Sequence, residues 1–398
     1  MIKYFIFLCI SFECIGDINS DFEHAFNLNR SGNIDQASLA YKKLIDQNPW
    51  CTSAIYNYAH TLKDLGFMQA AIEQYNKVIE KEPTHFFAHF GLSQCYLSTG
   101  MYKQGFELFE YRSKDIQSFK NDIETLKTLI AQTKSLSNIK ILLRCEWGIG
   151  DNIQFIRFAQ ELKNRGAIIY VQTHNALKKI FSLCPYLDKV IEVGELFPPH
   201  DLQIPILSLG YILDINLASL ESRQPYIYAD PLLVETWRKK ISANATFNIG
   251  ICWQGNGDRQ APALLNKNIS LQELMPICEI KKTSVYSLQK FQTNSDFKTA
   301  QIHFFNDFDE TNGRFMDTAA LIQVLDLIIT VDTSIAHLAG ALGKPVWLLL
   351  PFRSDWRWMQ NRNDSPWYST MCVFRQPCAG DWKGLMNQVC TELQRRKV

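Results

Sequence analysis

The stretch from Asp326 to Leu350, DLIITVDTSIAHLAGALGKPVWLLL, decides how the second half of this chain folds. Leu327 to Val331 is a β-branched apolar run without polar alternation, the pattern of a strand buried on both faces of a parallel sheet. Asp332, Thr333 and Ser334 follow at once, and they are N-cap residue types placed where a helical pattern runs from Ile335 to Leu342. Gly343 supplies the helix stop, and Pro345 precedes a second apolar run from Val346 to Leu350. The segment predicts a compact strand-helix-strand unit. Its helix starts at the carboxyl end of a strand, where unpaired backbone N–H groups and the helix dipole favour an anion such as a diphosphate.

The rest of the chain can support such a unit. With 398 residues, 46% of them hydrophobic and 20% charged, the length predicts two to three domains with ordinary cores. The formal net charge of +1 excludes a nucleic acid or other polyanion as the main partner, so anion recognition must be local. Eleven cysteines, among them Cys51, Cys95, Cys145, Cys184 and Cys252, show no C-x-x-C spacing, and most sit inside apolar patterns. They read as reduced, buried small hydrophobes of a reducing compartment.

Toward the N-terminus the chain repeats itself. Gly32, Gly66 and Gly100 are 34 residues apart, Tyr41 and Tyr75 recur at Phe109, Ala37 and Ala71 recur at Gly105, and Pro49 recurs at Pro83. The period is that of tetratricopeptide repeats. Each Gly is expected to end a first helix, the small residue to admit a close second helix, and the aromatic to fill the groove between them. About two and a half units are legible from Asp21 to Arg112, and a polar helical connector is expected from Ile116 to Ser137. Such a stack either binds a protein partner or braces the next domain.

A strand expected from Ile139 to Arg144 delivers Cys145-Glu146-Trp147-Gly148-Ile149-Gly150-Asp151-Asn152 into a helical pattern from Ile153 to Lys163. Gly148 and Gly150 form a Gly-x-Gly, but Ile153 stands where a dinucleotide fold has a third small residue. The strand Ile168 to Val171 also lacks a terminal acid for a ribose. The helix N-terminus is expected to lower the Asp151 pKa, and a helix cap is the structural alternative for this residue.

The tail carries three further signatures: P-x-x-x-D-W-R-W from Pro351 to Trp358, D-S-P-W-Y from Asp364 to Tyr368, and F-R-Q-P-x-x-G-D-W from Phe374 to Trp382. Together with the D-T-x-x-x-H of Asp332, Thr333 and His337, the tail resembles bacterial glycosyltransferases related to the ADP-heptose:lipopolysaccharide heptosyltransferases (glycosyltransferase family 9), in the subgroup with tetratricopeptide repeats. The resemblance implies transfer of a sugar from a nucleotide-diphosphate donor to a glycan, lipid or protein acceptor, with inversion and without a required metal or other cofactor. It implies that Asp151, in a G-x-G-D element flanked by the acceptor-side Gly148 and Gly150, is the base that deprotonates the acceptor hydroxyl. It also places Asp332, Thr333, Ser334 and His337 at the donor.

Other segments match in part. The subgroup's W-x-G-N is met by Trp253, Gly255 and Asn256, and its S-L-Q-K by Ser287 to Lys290, which adds Gly255 and Gln289 to the donor side. Asn266-Lys267-Asn268-Ile269 stands where an N-R-S-I-like element is expected, so Lys267 keeps the cation without the bidentate fork, while Asp258 to Leu265 departs from the pattern. Asp307-Phe308-Asp309 imitates a metal-binding D-x-D but reads as a solvated acidic turn before Asp317-Thr318, which is expected to cap the next helix.

The expected fold is α + α/β: helical repeats over 21–115, a connector over 116–137, then a GT-B pair of Rossmann-like lobes, the acceptor lobe over 138–240 and the donor lobe over 245–398. Residues 1–20 have a basic start at Lys3, an apolar run and small residues near Gly16, the outline of a short signal peptide or of an apolar helix packed on the repeats. Glu13 in that run, and a sugar nucleotide as donor, favour a cytoplasmic or membrane-associated protein. A tetratricopeptide scaffold with an inactive transferase-like domain is the competing functional class, favoured by the altered Asp258 to Asn268 loop.

Overall fold

The computed structural model describes residues 17–133, 135–220, 225–241, 247–255, 266–290, 302–305 and 308–396. The N-terminal apolar run and the whole of the Asp258 to Leu265 segment lie outside them.

Six helices open the described chain as three antiparallel pairs: α1 (Asp17–Arg30) with α2 (Ile34–Gln47), α3 (Thr52–Leu65) with α4 (Met68–Lys81), and α5 (Phe86–Ser98) with α6 (Tyr102–Phe109). The turn within each pair is closed by a left-handed glycine, Gly32, Gly66 or Gly100, with φ of 83°, 82° and 85°, which only glycine adopts freely. Tyr41, Tyr75 and Phe109 are fully buried at equivalent positions. The third pair has Gly105 where the others have Ala37 and Ala71. A Cβ there would lie 2.7 Å from Leu97, so the glycine admits the close approach of the last two repeat helices. Helix α7 (Lys120–Gln132) then leads out of the stack.

Two parallel sheets follow. The first has four strands, β1 (Lys140–Arg144), β2 (Ile168–Thr173), β3 (Lys189–Glu192) and β4 (Leu202–Pro205), in the order β3-β2-β1-β4. The second has six, β5 (Phe247–Cys252), β6 (Thr283–Ser287), β7 (Ile302–His303), β8 (Leu327–Val331), β9 (Val346–Leu350) and β10 (Met371–Arg375), in the order β10-β9-β8-β5-β6-β7. All residues of β8 and β9 are buried, as expected of strands covered on both faces. The second sheet is doubly wound with its reversal between β5 and β8, and the crevice outside their carboxyl ends is where such sheets receive ligands. The fold is α + α/β, helical repeats followed by two lobes of the GT-B kind.

The chain does not stay within one lobe. After the first sheet, the helix Pro231–Lys240 packs on the helix Met316–Val324 of the second lobe, where the buried Trp237 donates its indole N–H to Asp317 at 2.8 Å. The helices Ile149–Phe155 and Ser334–Ala341 face each other across the seam between lobes. One hydrophobic core runs from the third repeat (Leu97, Tyr102, Phe106, Phe109) through the first lobe to Trp356, Trp367 and Val373 of the second, whereas the first two repeats keep separate cores. Among the described residues no helix is long and apolar enough to cross a membrane.

Candidate active site

The second lobe contributes the ends of β5 and β8. Thr333 caps the helix Ser334–Ala341, its hydroxyl accepting from the Ile335 amide at 3.2 Å and its carbonyl from the Ala336 amide at 3.1 Å, and the positive end of the helix dipole lies at the strand end. Gly255 lies against this cap: a Cβ there would stand 3.1 Å from the Thr333 methyl, and the Gly255 amide donates to Asn268 at 3.0 Å. Gln289 holds the β5 end in place, because its Oε1 accepts from the Trp253 amide at 3.2 Å and from the Gln254 amide at 3.0 Å. Lys267, 37% exposed, brings its ammonium to 3.7 Å from the Asp332 carboxylate. With the lysine partly exposed and the two charges this far apart, the pair is worth about 1 kcal/mol, so the lysine can exchange Asp332 for another anion at small cost.

The first lobe contributes the loop after β1. Asn152 ties this loop into a knot: its amide donates to the carbonyls of Glu146 and Gly148 at 2.8 Å, and its oxygen accepts from the Glu146 amide at 3.1 Å. Trp147, in the middle, has φ of 56°, a left-handed conformation that costs a non-glycine residue about 1–2 kcal/mol. Asp151 caps its own helix with one carboxylate oxygen, which accepts from the Gly148 amide at 2.8 Å. The other oxygen receives Arg357 at 2.6 Å across the seam. Asp151 remains 21% exposed, within reach of a molecule in the cleft.

Arg357 is the residue that sequence reasoning missed. It is buried and donates to Asp151, to Asp355 at 2.8 Å and to Gln154 at 2.7 Å, so it links the two lobes through a guanidinium fork. Its signal was present in the D-W-R-W segment, where an arginine between two tryptophans has to find acidic partners if the rings are buried. The expected lowering of the Asp151 pKa is corrected. Burial lifts this carboxyl above its ordinary value, against the opposing pull of Arg357 and the Gly148 amide, and the nearby Asp355 and Asp332 charges add to the rise. A helix of seven residues offers a weak dipole beside that desolvation. The result is a better proton acceptor than a surface aspartate.

His337 is only 5% exposed. Its Nδ1 lies 2.8 Å from the Tyr368 hydroxyl, its ring stacks on Trp358 at 5.2 Å, and its Nε2 is 4.0 Å from Asp332. Burial, with Arg357 and Lys267 adding to it, holds the imidazole well below its ordinary pKa, so it is neutral. Gly150 explains the tight seam. A Cβ at that position would lie 2.7 Å from the His337 ring, so glycine is what lets the two facing helices meet. Gly148 plays a different part, supplying the amide that Asp151 caps.

The structure thus brings Asp151, Asp332, Lys267 and His337 together around Arg357, with Gly255, Gln289, Thr333 and Ser334 shaping the second-lobe wall. Asn256 and Asp307 lie outside the described residues. The solvated reading of the acidic turn is corrected at Asp309, which is buried with its carboxylate accepting from the Thr318 amide at 3.0 Å and from the Thr318 hydroxyl at 2.5 Å. That capping role also replaces the one expected of Asp317-Thr318, because the helix Met316–Val324 already includes both residues.

Comparison with known proteins agrees with the two halves separately. Residues 313–349 match the family model of Glycosyltransferase family 9 (heptosyltransferase), and residues 52–85 match that of the Tetratricopeptide repeat. The TPR repeat-containing protein YpiA of Bacillus subtilis is 31% identical over 90 residues, which are 23% of this chain and 21% of that protein. Protein FlbA of Caulobacter vibrioides is 20% identical over 386 residues, 87% of this chain and 62% of that protein. The chain therefore spans less than two thirds of either curated relative. The crystal structure of a glycosyl transferase family 9 protein from Veillonella parvula aligns with a TM-score of 0.47 at 12% identity, covering 66% of this chain and 98% of that one.

Proposed function

We propose that this chain, tetratricopeptide repeats joined to a glycosyltransferase family 9-like domain, transfers a sugar from a nucleotide-diphosphate donor to an acceptor hydroxyl with inversion at the anomeric carbon. The observation that carries this reading is the Asp151 carboxylate, partly exposed at the seam and facing the lobe whose strand ends and helix N-terminus suit a diphosphate. The acceptor oxygen attacks the anomeric carbon as the bond to the diphosphate oxygen breaks, and Asp151 takes the hydroxyl proton. Lys267 and the positive end of the helix that starts at Ser334 offset the charge that grows on the leaving diphosphate. Asp332 and the neutral His337 shape the wall beside it, with Gly255 and Gln289 holding the neighbouring loop.

The positive charge already supplied by Lys267 and the helix N-terminus supports a reaction without a required metal. Asp309 supports the same reading, since both of its oxygens are engaged by Thr318. The acceptor is a glycan, a lipid or a protein, and the repeats offer a surface for a protein partner. Transfer or donor hydrolysis against a panel of sugar nucleotides tests the proposal. Binding of a donor without turnover by any acceptor class would instead favour an inactive scaffold that has kept the site.

A further inference from the structure

The loop that carries Asp151 is held from outside its own lobe as well as from within it. Arg112, at the end of the third repeat and with no exposed side-chain surface, grips Glu146 with a two-pronged fork, Nε at 3.0 Å and Nη2 at 2.7 Å. Glu110 completes the grip, accepting from Arg112 at 2.8 Å and from Ser208 at 2.8 Å, while Glu146 also accepts from the Leu207 amide at 3.1 Å. The next residue, Trp147, is the strained one, and its ring sits edge-on to Phe109 at 5.3 Å and Phe90 at 6.1 Å, both on repeat helices. Two successive residues of the loop are therefore fixed by the repeats.

The same repeat reaches the other lobe. Phe109 also packs on Trp356 at 5.7 Å, and the Arg357 guanidinium lies over that indole at 4.3 Å before it meets Asp151. We infer that the third tetratricopeptide repeat is part of the catalytic apparatus: Arg112 and Phe90 are positioning residues that hold the Glu146-Trp147 loop in its strained form and so set Asp151 against Arg357. This rests on the proposed role of Asp151. The physical reason is over-determination. A left-handed tryptophan persists only where its surroundings oppose relaxation, and here the repeats add a desolvated ion-pair fork and two aromatic edges to the Asn152 knot and the Leu207 amide of the lobe itself. The repeats of such a chain cannot be an appended binding module alone.

The test pairs Arg112→Gln with Phe90→Leu in the full chain. Phe90 is half-buried and its replacement conserves bulk, so that variant decides the matter if Arg112→Gln does not fold. Hydrogen exchange without substrate should quicken about tenfold or more at the Glu146 and Leu207 amides while the central-sheet amides of Ile249 and Ile329 keep wild-type rates. Turnover should fall roughly 10- to 100-fold with the donor dissociation constant, measured by calorimetry, within about threefold of wild type. Unchanged exchange at Glu146 and Leu207 would overturn the inference. So would acceleration shared equally by the central sheet, or a loss of turnover explained by weaker donor binding. If Asp151→Asn keeps full activity while Phe90→Leu shows the local exchange and the turnover loss, the base assignment fails and the positioning of the loop by the repeat stands.

Discussion

Asp151 and Arg357 are 206 positions apart in the chain, and their side chains meet at 2.6 Å across the seam between the lobes. Each residue comes from a loop that leaves the carboxyl end of a parallel strand, β1 in one lobe and β9 in the other. The contact therefore couples the proposed acceptor side of the cleft to the proposed donor side. It also sets the electrostatics of the proposed base, because burial raises the Asp151 pKa and the guanidinium opposes the rise.

Asp151→Asn separates chemistry from architecture. The amide keeps the volume, and its oxygen can still accept from the Gly148 amide, but it cannot take a proton. Turnover should fall by about two to four orders of magnitude while donor affinity by calorimetry stays near wild type. Wild-type turnover in this variant would remove Asp151 from the chemistry.

The pH dependence of turnover tests the same group by another route. Protonated Asp151 is inert as a base, so activity should fall on the acid side, and the raised pKa places that limb above the range of an ordinary aspartate. Arg357→Gln removes the charge that opposes the shift. The limb should then move to still higher pH, and the loss of a partner for the partly buried Asp151 and Asp355 should cost about 1–3 kcal/mol of stability by urea unfolding. A limb that stays in place would mean that Asp151 is not the group titrating.

Much of this was legible in the sequence, and the reasons are local. The β8-helix-β9 unit was readable from its unbroken apolar runs, and the repeats from three glycines that only a left-handed turn requires. The D-W-R-W segment signals that Arg357 needs acidic partners but not that Asp151 is one of them, because Asp151 and Gln154 are about two hundred positions away and no spacing rule links a tail arginine to a first-lobe loop. The Asp151 pKa was misjudged for a related reason. A helix N-terminus is visible in a sequence, whereas burial by another lobe is not. Asp309 shows the same asymmetry, since a polar-looking turn conceals a carboxylate that folds inward to cap a helix.

His337 predicts a stability change with pH. Its folded-state pKa lies well below the ordinary value of 6.5, so the unfolded chain takes up a proton first as pH falls. Stability from this residue is complete above that value and is lost as pH drops through it toward the folded pKa, with a limiting slope of about 1.4 kcal/mol per pH unit. Replacement by Gln, which can still meet the Tyr368 hydroxyl, should flatten the loss of unfolding free energy between about pH 7 and pH 5 relative to wild type. Equal slopes in the two proteins would show that the imidazole is not held neutral.

The last prediction concerns what neutralises the donor. If Lys267 and the helix N-terminus at Ser334 hold the diphosphate, activity should survive EDTA, and Lys267→Ala should weaken donor binding by about tenfold, the scale of one lost charge-assisted contact. That weakening should shrink as salt rises, because the lysine is partly exposed and screened. Asp309→Ala serves as the contrast. It should lower stability by roughly 1–2 kcal/mol through the lost helix cap and leave donor affinity unaltered. If chelation abolishes activity, manganese restores it and Asp309→Ala removes that restoration, the charge on the diphosphate is carried by a metal, and Lys267 is a bystander.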